Sequence, residues 1–376
     1  MLNVNIDLQK WRIIMVKKLY ASVLQVVIGI MLGLFLGIAS VFIFEEMNIF
    51  DFKVLFYILV MFFVSFILQI IVHEGGHCLF GYLNGFKFVS FRIGSYIWVN
   101  DNGKIHLKRY RLSQTGGQCL MDPPEPNFKS YVLYLLGGGI ANLVVGIIFL
   151  ILGLLNQDLL LDIFSFANIA LGFLLGLTNL IPMDVGIPND GLNVVYLFKE
   201  RQSVDSLYKQ LKMSKELADG KRIDEMDISY FTLYEKAKLR NPLNTCIAVN
   251  RGIYLSALKQ YDEAKKCLEY LFKLKITNVY KLAVIYELIL IELLTNDQPD
   301  IEKYLISGVK RKMDKEKSDL SSLVVQYGIE LLVNKDERQA MVVLKYIEDV
   351  FETYPYNVEL TKESIRMIEE RAKLND

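Results

Sequence analysis

Two histidines and a glutamate lie close together in a largely apolar stretch, in the order His73-Glu74-Gly75-Gly76-His77. On a helix, residues four positions apart share a face, so both imidazoles can reach one metal ion. Glu74 can then accept a proton from a water on that ion as the water attacks a peptide carbonyl. The pattern predicts two zinc ligands and a general base for peptide hydrolysis. The alternative, a buried histidine pair without metal, is disfavoured because ionisable residues at membrane depth are costly.

A catalytic zinc site needs a third protein ligand and keeps a further position open for water. The segment 179–191 offers Asp184 and Asp190, and its prolines and glycines break any helix there. Broken polar backbone at membrane depth is tolerated where it is buried in protein or lines a wet cavity. Either aspartate is a candidate ligand by its chemistry, and the alternative is that both are solvated loop acids. The remaining histidine, His106, is expected to be a strand residue and not a ligand.

Four apolar segments are long enough to cross a bilayer core of about 30 Å as helices. None carries lysine or arginine in its core, and the second segment ends with the histidine pair. Basic residues collect before the first segment and between the second and third, so these sides are predicted to be cytoplasmic. We therefore expect a multi-pass protein of the cell membrane with both termini in the cytoplasm. The segments run at about 19–44, 54–83, 131–155 and 163–181.

Over residues 54–195 the chain resembles the site-2 protease family of intramembrane zinc metalloproteases. The resemblance is carried by His73-Glu74-x-x-His77 in one span and by an Asn-x-x-Pro segment that ends in Asp190-Gly191 after a later span. It implies one Zn²⁺ ion with Asp190 as the third ligand.

A further family motif, Gly-Pro-x-x-Asn, is matched by Gly138-Gly139-Ile140-Ala141-Asn142, with Gly139 in place of the proline. The resemblance implies that Asn142 lies near the active site and helps to stabilise the substrate carbonyl. The plainer interpretation of 137–139 is close helix packing, which small residues permit in membranes. The two interpretations are compatible.

Strand-like runs at 86–93, 95–99 and 104–110 lie between the second and third spans, with a turn at 100–103. A protease must hold its peptide extended, and adding the peptide as a strand to an exposed sheet edge does this. The hairpin is therefore predicted either to guide substrate or to be a plain feature of the membrane surface. The glycine-rich stretch 116–119 is expected to form a turn.

The second half of the chain changes to charged, amphipathic helical patterns. Gly252 and Ala264 are spaced as in one tetratricopeptide repeat, and looser helical hairpins follow at 278–313 and 317–351, with a last helix at 357–372. The predicted fold is mainly α. It is a polytopic membrane protein with about four transmembrane helices, a small cytoplasmic β-hairpin region and a C-terminal α-helical solenoid-like domain. We place the membrane domain at 1–198 and the helical domain at 199–376, with an ordinary helical bundle as the alternative for the latter.

Composition narrows the function classes. The chain has 42 basic and 42 acidic residues, without the basic excess of a nucleic-acid-binding protein.

The favoured function is an endopeptidase acting near the cytoplasmic leaflet, in regulated proteolysis or in maturation of a small peptide. Its partners would be membrane lipid, a peptide or membrane-protein substrate, and a protein at the helical domain. The alternatives are a non-catalytic scaffold or peptide-binding protein acting through that domain, and a metal transporter, whose ligands would be spread over several spans.

Overall fold

Within the residues that the computed structural model describes, three helices are long and apolar enough to cross a membrane. They are α1 (Phe52–Leu83), α2 (Phe128–Leu155) and α3 (Leu159–Leu180). They coincide with three of the four predicted spans, and the span predicted at 19–44 lies outside the described residues. The structure describes residues 33, 52–101, 103–109, 116–155, 158–184, 187–305 and 308–375. The protein is thus a multi-pass membrane protein, mainly helical, with a small antiparallel sheet.

By its internal contacts the chain divides into two compact units. The first holds the described residues up to Gly76 together with Leu136–Met183 and Asn189–Leu192. The second holds the rest of the described chain. We describe each unit by itself.

Close helix contacts in the first unit occur at glycines. A Cβ on Gly172 of α3 would lie 2.8 Å from the carbonyl oxygen of Asn142 on α2, and a Cβ on Gly139 would lie 2.6 Å from the side chain of Leu180. On α1, a Cβ on Gly76 would lie 2.3 Å from the carbonyl oxygen of Gly137. The close packing predicted for 137–139 is therefore found, and it holds α1, α2 and α3 together at short range.

In the second unit the strands form one antiparallel sheet in the order β3-β2-β1-β4, counted over the described residues. The strands are β1 (Lys87–Ile93), β2 (Tyr96–Asp101), β3 (Lys104–Arg109) and β4 (Gly117–Asp122). The predicted hairpin is β2–β3, and Gly103 adopts a φ of 86° in its turn. β3 pairs only with β2, so its outer edge has no strand partner within the part of the chain that the structure describes.

The turn expected at 116–119 is wrong. Gly117–Asp122 forms β4, which pairs with β1 along its whole length. The prediction relied on Gly116 and Gly117, which favour a turn. The strand is instead stabilised by burial of the three consecutive side chains that follow, those of Cys119, Leu120 and Met121. The guanidinium of Arg92 on β1 also donates to the carbonyl of Gly117, at 3.2 Å, which ties the first residue of β4 to the sheet.

The remainder of the second unit is helical. The pairing predicted around Gly252 and Ala264 is present, because a Cβ on Gly252 would lie 2.4 Å from the side chain of Leu268 and Ala264 is fully buried. These residues belong to a hydrophobic cluster, and a further cluster includes Leu323, Ile347 and Ile368. The helices are α4 (Asp190–Lys199), α5 (Gln202–Ala218), α6 (Pro242–Ala257), α7 (Tyr261–Lys273), α8 (Asn278–Thr295), α9 (Val309–Met313), α10 (Leu320–Gly328), α11 (Glu337–Phe351) and α12 (Glu359–Asn375). Short 3₁₀ turns lie at Ile223–Glu225, Ile228–Tyr230 and Lys236–Arg240, and a π turn, Ile329–Val333, follows α10.

Candidate metal centre

The two histidines of the motif lie one turn apart on the continuous helix α1. Each uses its Nδ1 atom in a hydrogen bond. Nδ1 of His73 is 2.7 Å from Oδ1 of Asn142, and Nδ1 of His77 is 2.8 Å from the backbone carbonyl oxygen of Tyr134. A carbonyl oxygen only accepts, so Nδ1 of His77 must carry a proton, and Nε2 is the ring nitrogen that remains to bind a metal.

The same conclusion holds for His73, because the amide of Asn142 has one allowed orientation. Its Nδ2 donates to the backbone carbonyl oxygen and to Oε1 of Gln69, both at 2.8 Å. The backbone carbonyl accepts only, so Nδ2 must face Gln69 and Oδ1 must face His73. The imidazole of His73 therefore donates through Nδ1, and Nε2 is the ring nitrogen that remains to bind a metal.

The broken segment after α3 delivers Asp190 to the first turn of α4. Asn189 holds this segment in shape, since its side-chain amide donates to the carbonyl oxygens of Thr178 and Ile181, both at 2.6 Å. Its side-chain oxygen also accepts from the backbone N–H of Leu192, which caps the start of α4. Gly191 packs directly on the end of α3, where a Cβ would lie 2.1 Å from the carbonyl oxygen of Leu180.

The structure brings three of the predicted site residues together. Nε2 of His73 lies 3.4 Å from Oδ2 of Asp190. Ligand atoms of His73, His77 and Asp190 all lie within 4.8 Å of one another. Two imidazole Nε2 atoms and a carboxylate are a donor set that suits Zn²⁺ and leaves room for a further ligand. The residues present therefore fit the metal that the sequence predicts.

The other candidate residues lie as follows. Glu74 is next to His73 on α1 and is only 8% exposed. Asp184 is exposed and forms an isolated backbone bridge with Pro188. It is not part of the three-residue group found among the described residues. His106 is exposed on β3, in agreement with its interpretation as a strand residue.

Comparison with known families agrees with this geometry. The model of Peptidase family M50 matches residues 61–167. That family is the site-2 protease family, so the match supports the resemblance over α1, the sheet, α2 and the first part of α3. The match supports an intramembrane protease of a type that is commonly zinc-dependent, and everything after residue 167, including Asp190, lies outside the matched range. No curated protein and no solved structure gave a match.

Four residues that connect to the M50-like site were not predicted from the sequence. Gln69 and Asn168 hydrogen-bond to one another, and Asn168 bonds in turn to Ser65. Ser65 and Gln69 stand eight and four positions before His73, so a polar residue recurs on one face of α1 every fourth position. This spacing in an apolar span was the signal that could have found them. Asn189, directly before Asp190, was missed because a loop asparagine carries no distinctive pattern.

Proposed function

We propose that the chain is a membrane-embedded zinc metalloendopeptidase that hydrolyses membrane-associated peptides or proteins near the cytoplasmic leaflet. The observation that carries the proposal is the group of His73, His77 and Asp190, built partly on a helix able to span a membrane. Glu74 follows His73 directly and supplies a carboxylate for acid–base chemistry. The match to Peptidase family M50 supports the same reaction class.

In the proposed mechanism His73 and His77 hold the metal through Nε2 and Asp190 holds it through a carboxylate oxygen. When bound, Zn²⁺ lowers the pKa of water and polarises a carbonyl group. Glu74 accepts the proton of the water that attacks the scissile carbonyl. The same carboxylic acid then gives the proton to the nitrogen of the departing amine as the C–N bond breaks. Water adds across the peptide bond, and Glu74 returns to its starting form.

For Asn142 we propose a role different from the one that the family resemblance implies. Holding a substrate carbonyl would need a free amide N–H. Both hydrogens of the Asn142 amide are instead directed at Gln69, and its oxygen faces His73. This arrangement supports a function in fixing the orientation and protonation of His73.

The substrate is proposed to bind as an extended strand along the open edge of β3. All six residues of β3 are exposed, whereas β4, at the other side of the sheet, is covered by α5. Lys212 of α5 pairs with Asp122 of β4 at 2.6 Å, which supports that cover. An edge that remains free offers backbone N–H and C=O groups that give affinity without demanding one sequence.

The catalytic assignment is tested with Glu74→Gln. We expect the variant to retain one zinc ion per chain and to lose cleavage by a factor of roughly 100 to 10,000, because the general base is gone while the ligands remain. Metal analysis and mass spectrometry of a panel of signal-peptide and single-span peptides provide the two readings. Glu125→Gln, at an exposed glutamate, is the matched control. Full cleavage by Glu74→Gln would reject the mechanism.

The guiding role of the sheet is tested by shortening the β2–β3 hairpin at the paired residues Val99 and His106. Removal of the residues between this pair, with a two-glycine turn in their place, shortens the open edge and retains the backbone pairing of β1 with β2 and β4. The side-chain bond of Asn100 to the carbonyl oxygen of Phe88 is lost with it. We expect zinc to be retained and cleavage to fall at least about tenfold, as substrate loses main-chain bonds. Unchanged cleavage would show that the hairpin is a plain surface feature.

Three further expectations remain proposals. We propose that the chain resides in the cell membrane with both termini in the cytoplasm, and that lipid covers the exposed apolar side chains of α1. The division into a membrane domain at 1–198 and a solenoid-like helical domain at 199–376 likewise stays a prediction. A protein partner at the helical domain is proposed on the same basis.

A further inference from the structure

A row of polar side chains runs along α1 away from the metal ligands. Ser65, Gln69, His73 and His77 recur at every fourth position and therefore share one helix face. Ser65 and Gln69 are fully buried, in the part of α1 before His73 that is otherwise largely apolar. At about 1.5 Å per residue, the row extends about 18 Å from His77 to Ser65. A row of this length among apolar residues needs partners on neighbouring helices.

The partners form a continuous hydrogen-bonded chain. Oδ1 of Asn142 is bonded to His73, and its Nδ2 donates twice to Gln69 at 2.8 Å. Nε2 of Gln69 donates to Oδ1 of Asn168 at 3.1 Å. Nδ2 of Asn168 then donates to Oγ of Ser65 at 2.9 Å and to the carbonyl oxygen of Phe164 at 3.0 Å. Gln69, Asn142 and Asn168 are each 0% exposed.

This hydrogen-bonded chain permits only one orientation of each side-chain amide. Phe164 and Gln69 each present a backbone carbonyl, which only accepts, so the amide nitrogens of Asn168 and Asn142 must point toward them. If Asn142 turned over, its nitrogen would face Nδ1 of His73 and the carbonyl of Gln69 would lose its donor. In an apolar setting a buried polar group without a partner costs about 1–3 kcal/mol, so the turned-over form is disfavoured.

We propose that Gln69 and Asn168 are positioning residues for His73, acting through Asn142. Gln69 holds Asn142 so that its oxygen receives the Nδ1 proton of His73, and Asn168 holds Gln69. The imidazole is thereby held with Nδ1 bonded to Asn142 and with Nε2 on the side of Asp190. The inference rests on the proposed function, because it takes His73 to be a ligand.

The test uses the intact chain in detergent, with Co²⁺ and Zn²⁺ as probes. Gln69→Met keeps the length of the side chain and removes both hydrogen-bonding groups. We expect it to weaken metal affinity about 10- to 100-fold, as loss of an outer partner of a ligating histidine does, and to alter the visible absorption spectrum of bound Co²⁺. Gln69→Glu should restore most of the affinity. A buried glutamic acid is neutral, and it can accept from Asn142 while donating to Asn168.

Two controls separate positioning from simple packing. Ser165 lies one turn before Asn168 on α3, is fully buried, and has an unpartnered hydroxyl among the described residues. Ser165→Ala is expected to leave affinity and spectrum unchanged. In an Asn142→Leu background, Gln69→Met should have little further effect, because its path to His73 is already removed.

The outcomes are distinct. Wild-type affinity and an unchanged Co²⁺ spectrum in Gln69→Met would overturn the inference, as would full additivity with Asn142→Leu. If Gln69→Met does not fold, Asn168→Leu carries the same test, since it frees Gln69 and leaves Asn142 and His73 in place. If wild-type protein binds no Co²⁺, or binding survives His73→Ala, it is the metalloprotease proposal that fails.

Discussion

At the scale of single residues, Asn189 and Gly191, on either side of the proposed third ligand Asp190, explain how that ligand is positioned. Asn189 bonds to the end of α3 and to the start of α4, so its hydrogen bonds connect the two helices. Gly191 permits the close approach, because a Cβ there would overlap the carbonyl oxygen of Leu180. Asp190 is held between these two residues. The Asp-Gly pair therefore combines a carboxylate with a backbone position that excludes larger residues.

We predict that Asp190→Ala lowers zinc affinity by more than about 100-fold, since loss of an outer partner alone costs 10- to 100-fold. Asp184→Ala should retain zinc, because Asp184 lies on the exposed bridge with Pro188. Competition with a chromogenic chelator measures both variants under the same conditions. Retention in Asp190→Ala together with loss in Asp184→Ala would reverse the assignment of the third ligand.

At the scale of helices and strands, the two glycines between the histidines have different surroundings. A Cβ on Gly76 would lie 2.3 Å from the carbonyl oxygen of Gly137 and 2.7 Å from Cβ of Ala141. A Cβ on Gly75 would meet nothing within 4 Å. Gly76 is thus the point at which α1 approaches α2, and Gly75 faces open space.

Gly76→Ala is expected to destabilise the protein by about 1–3 kcal/mol, because backbone atoms of α2 would have to move. It should also weaken metal binding, since Gly76 directly precedes His77. Gly75→Ala is the matched control and should be neutral or slightly stabilising, as alanine favours helix over glycine. Thermal unfolding in detergent, with and without zinc, measures both. Equal stability of the two variants would contradict this account of the helix contact.

Sequence patterns predicted the elements better than their contacts. The described spans begin within four residues of the predicted positions, and α3 starts earlier because Asp158 caps it, accepting from the N–H groups of Leu160 and Leu161. β4 was missed because two glycines precede its short buried run. The motif predicted His73, His77 and Asp190 as a group, since helix geometry and a family pattern fix them. The Gln69–Asn168 bond could not be predicted, because it joins residues 99 positions apart.

At the scale of the whole molecule, the two parts of the chain differ in the side chains that they expose. Large apolar side chains remain exposed along α1, α2 and α3, as expected for helices surrounded by lipid. The helices after residue 199 instead bury their apolar residues in clusters and carry ion pairs on the surface. Their stability should therefore respond to pH and salt as that of a water-soluble protein does.

One buried acid gives this part of the chain a pH dependence. Glu287 lines a cavity of about 180 Å³ between α6, α8, α10 and α12, near Ser256 and Met367. Burial raises the pKa of Glu287 from its ordinary 4.5 to about 7. Below about pH 4.5 the group is neutral in both the folded and the unfolded state. Between about pH 4.5 and 7 the unfolded state gives up this proton while the folded state keeps it, so stability falls across that window and the loss is complete above it.

We predict that Glu287→Gln stabilises the helical region at pH 8 by up to roughly 3 kcal/mol and has little effect near pH 4.5. Hydrogen exchange of α8 in the intact chain at the two pH values measures the difference. Glu263→Gln, at an exposed position on α7, serves as the control. A stabilisation that is the same at both pH values would show that burial of the Glu287 charge is not its cause.

The open edge of β3 also bears on how copies of this chain behave in solution. Its sequence, Lys104–Arg109, contains three basic residues and no acidic one. A second copy that offered its own β3 would bring like charges alongside, which disfavours pairing between copies. High salt screens this electrostatic repulsion, because the Debye length falls to about 3 Å at 1 M. Purification at high ionic strength will therefore favour edge-to-edge self-association, and the same basic edge at low salt will favour acidic peptides.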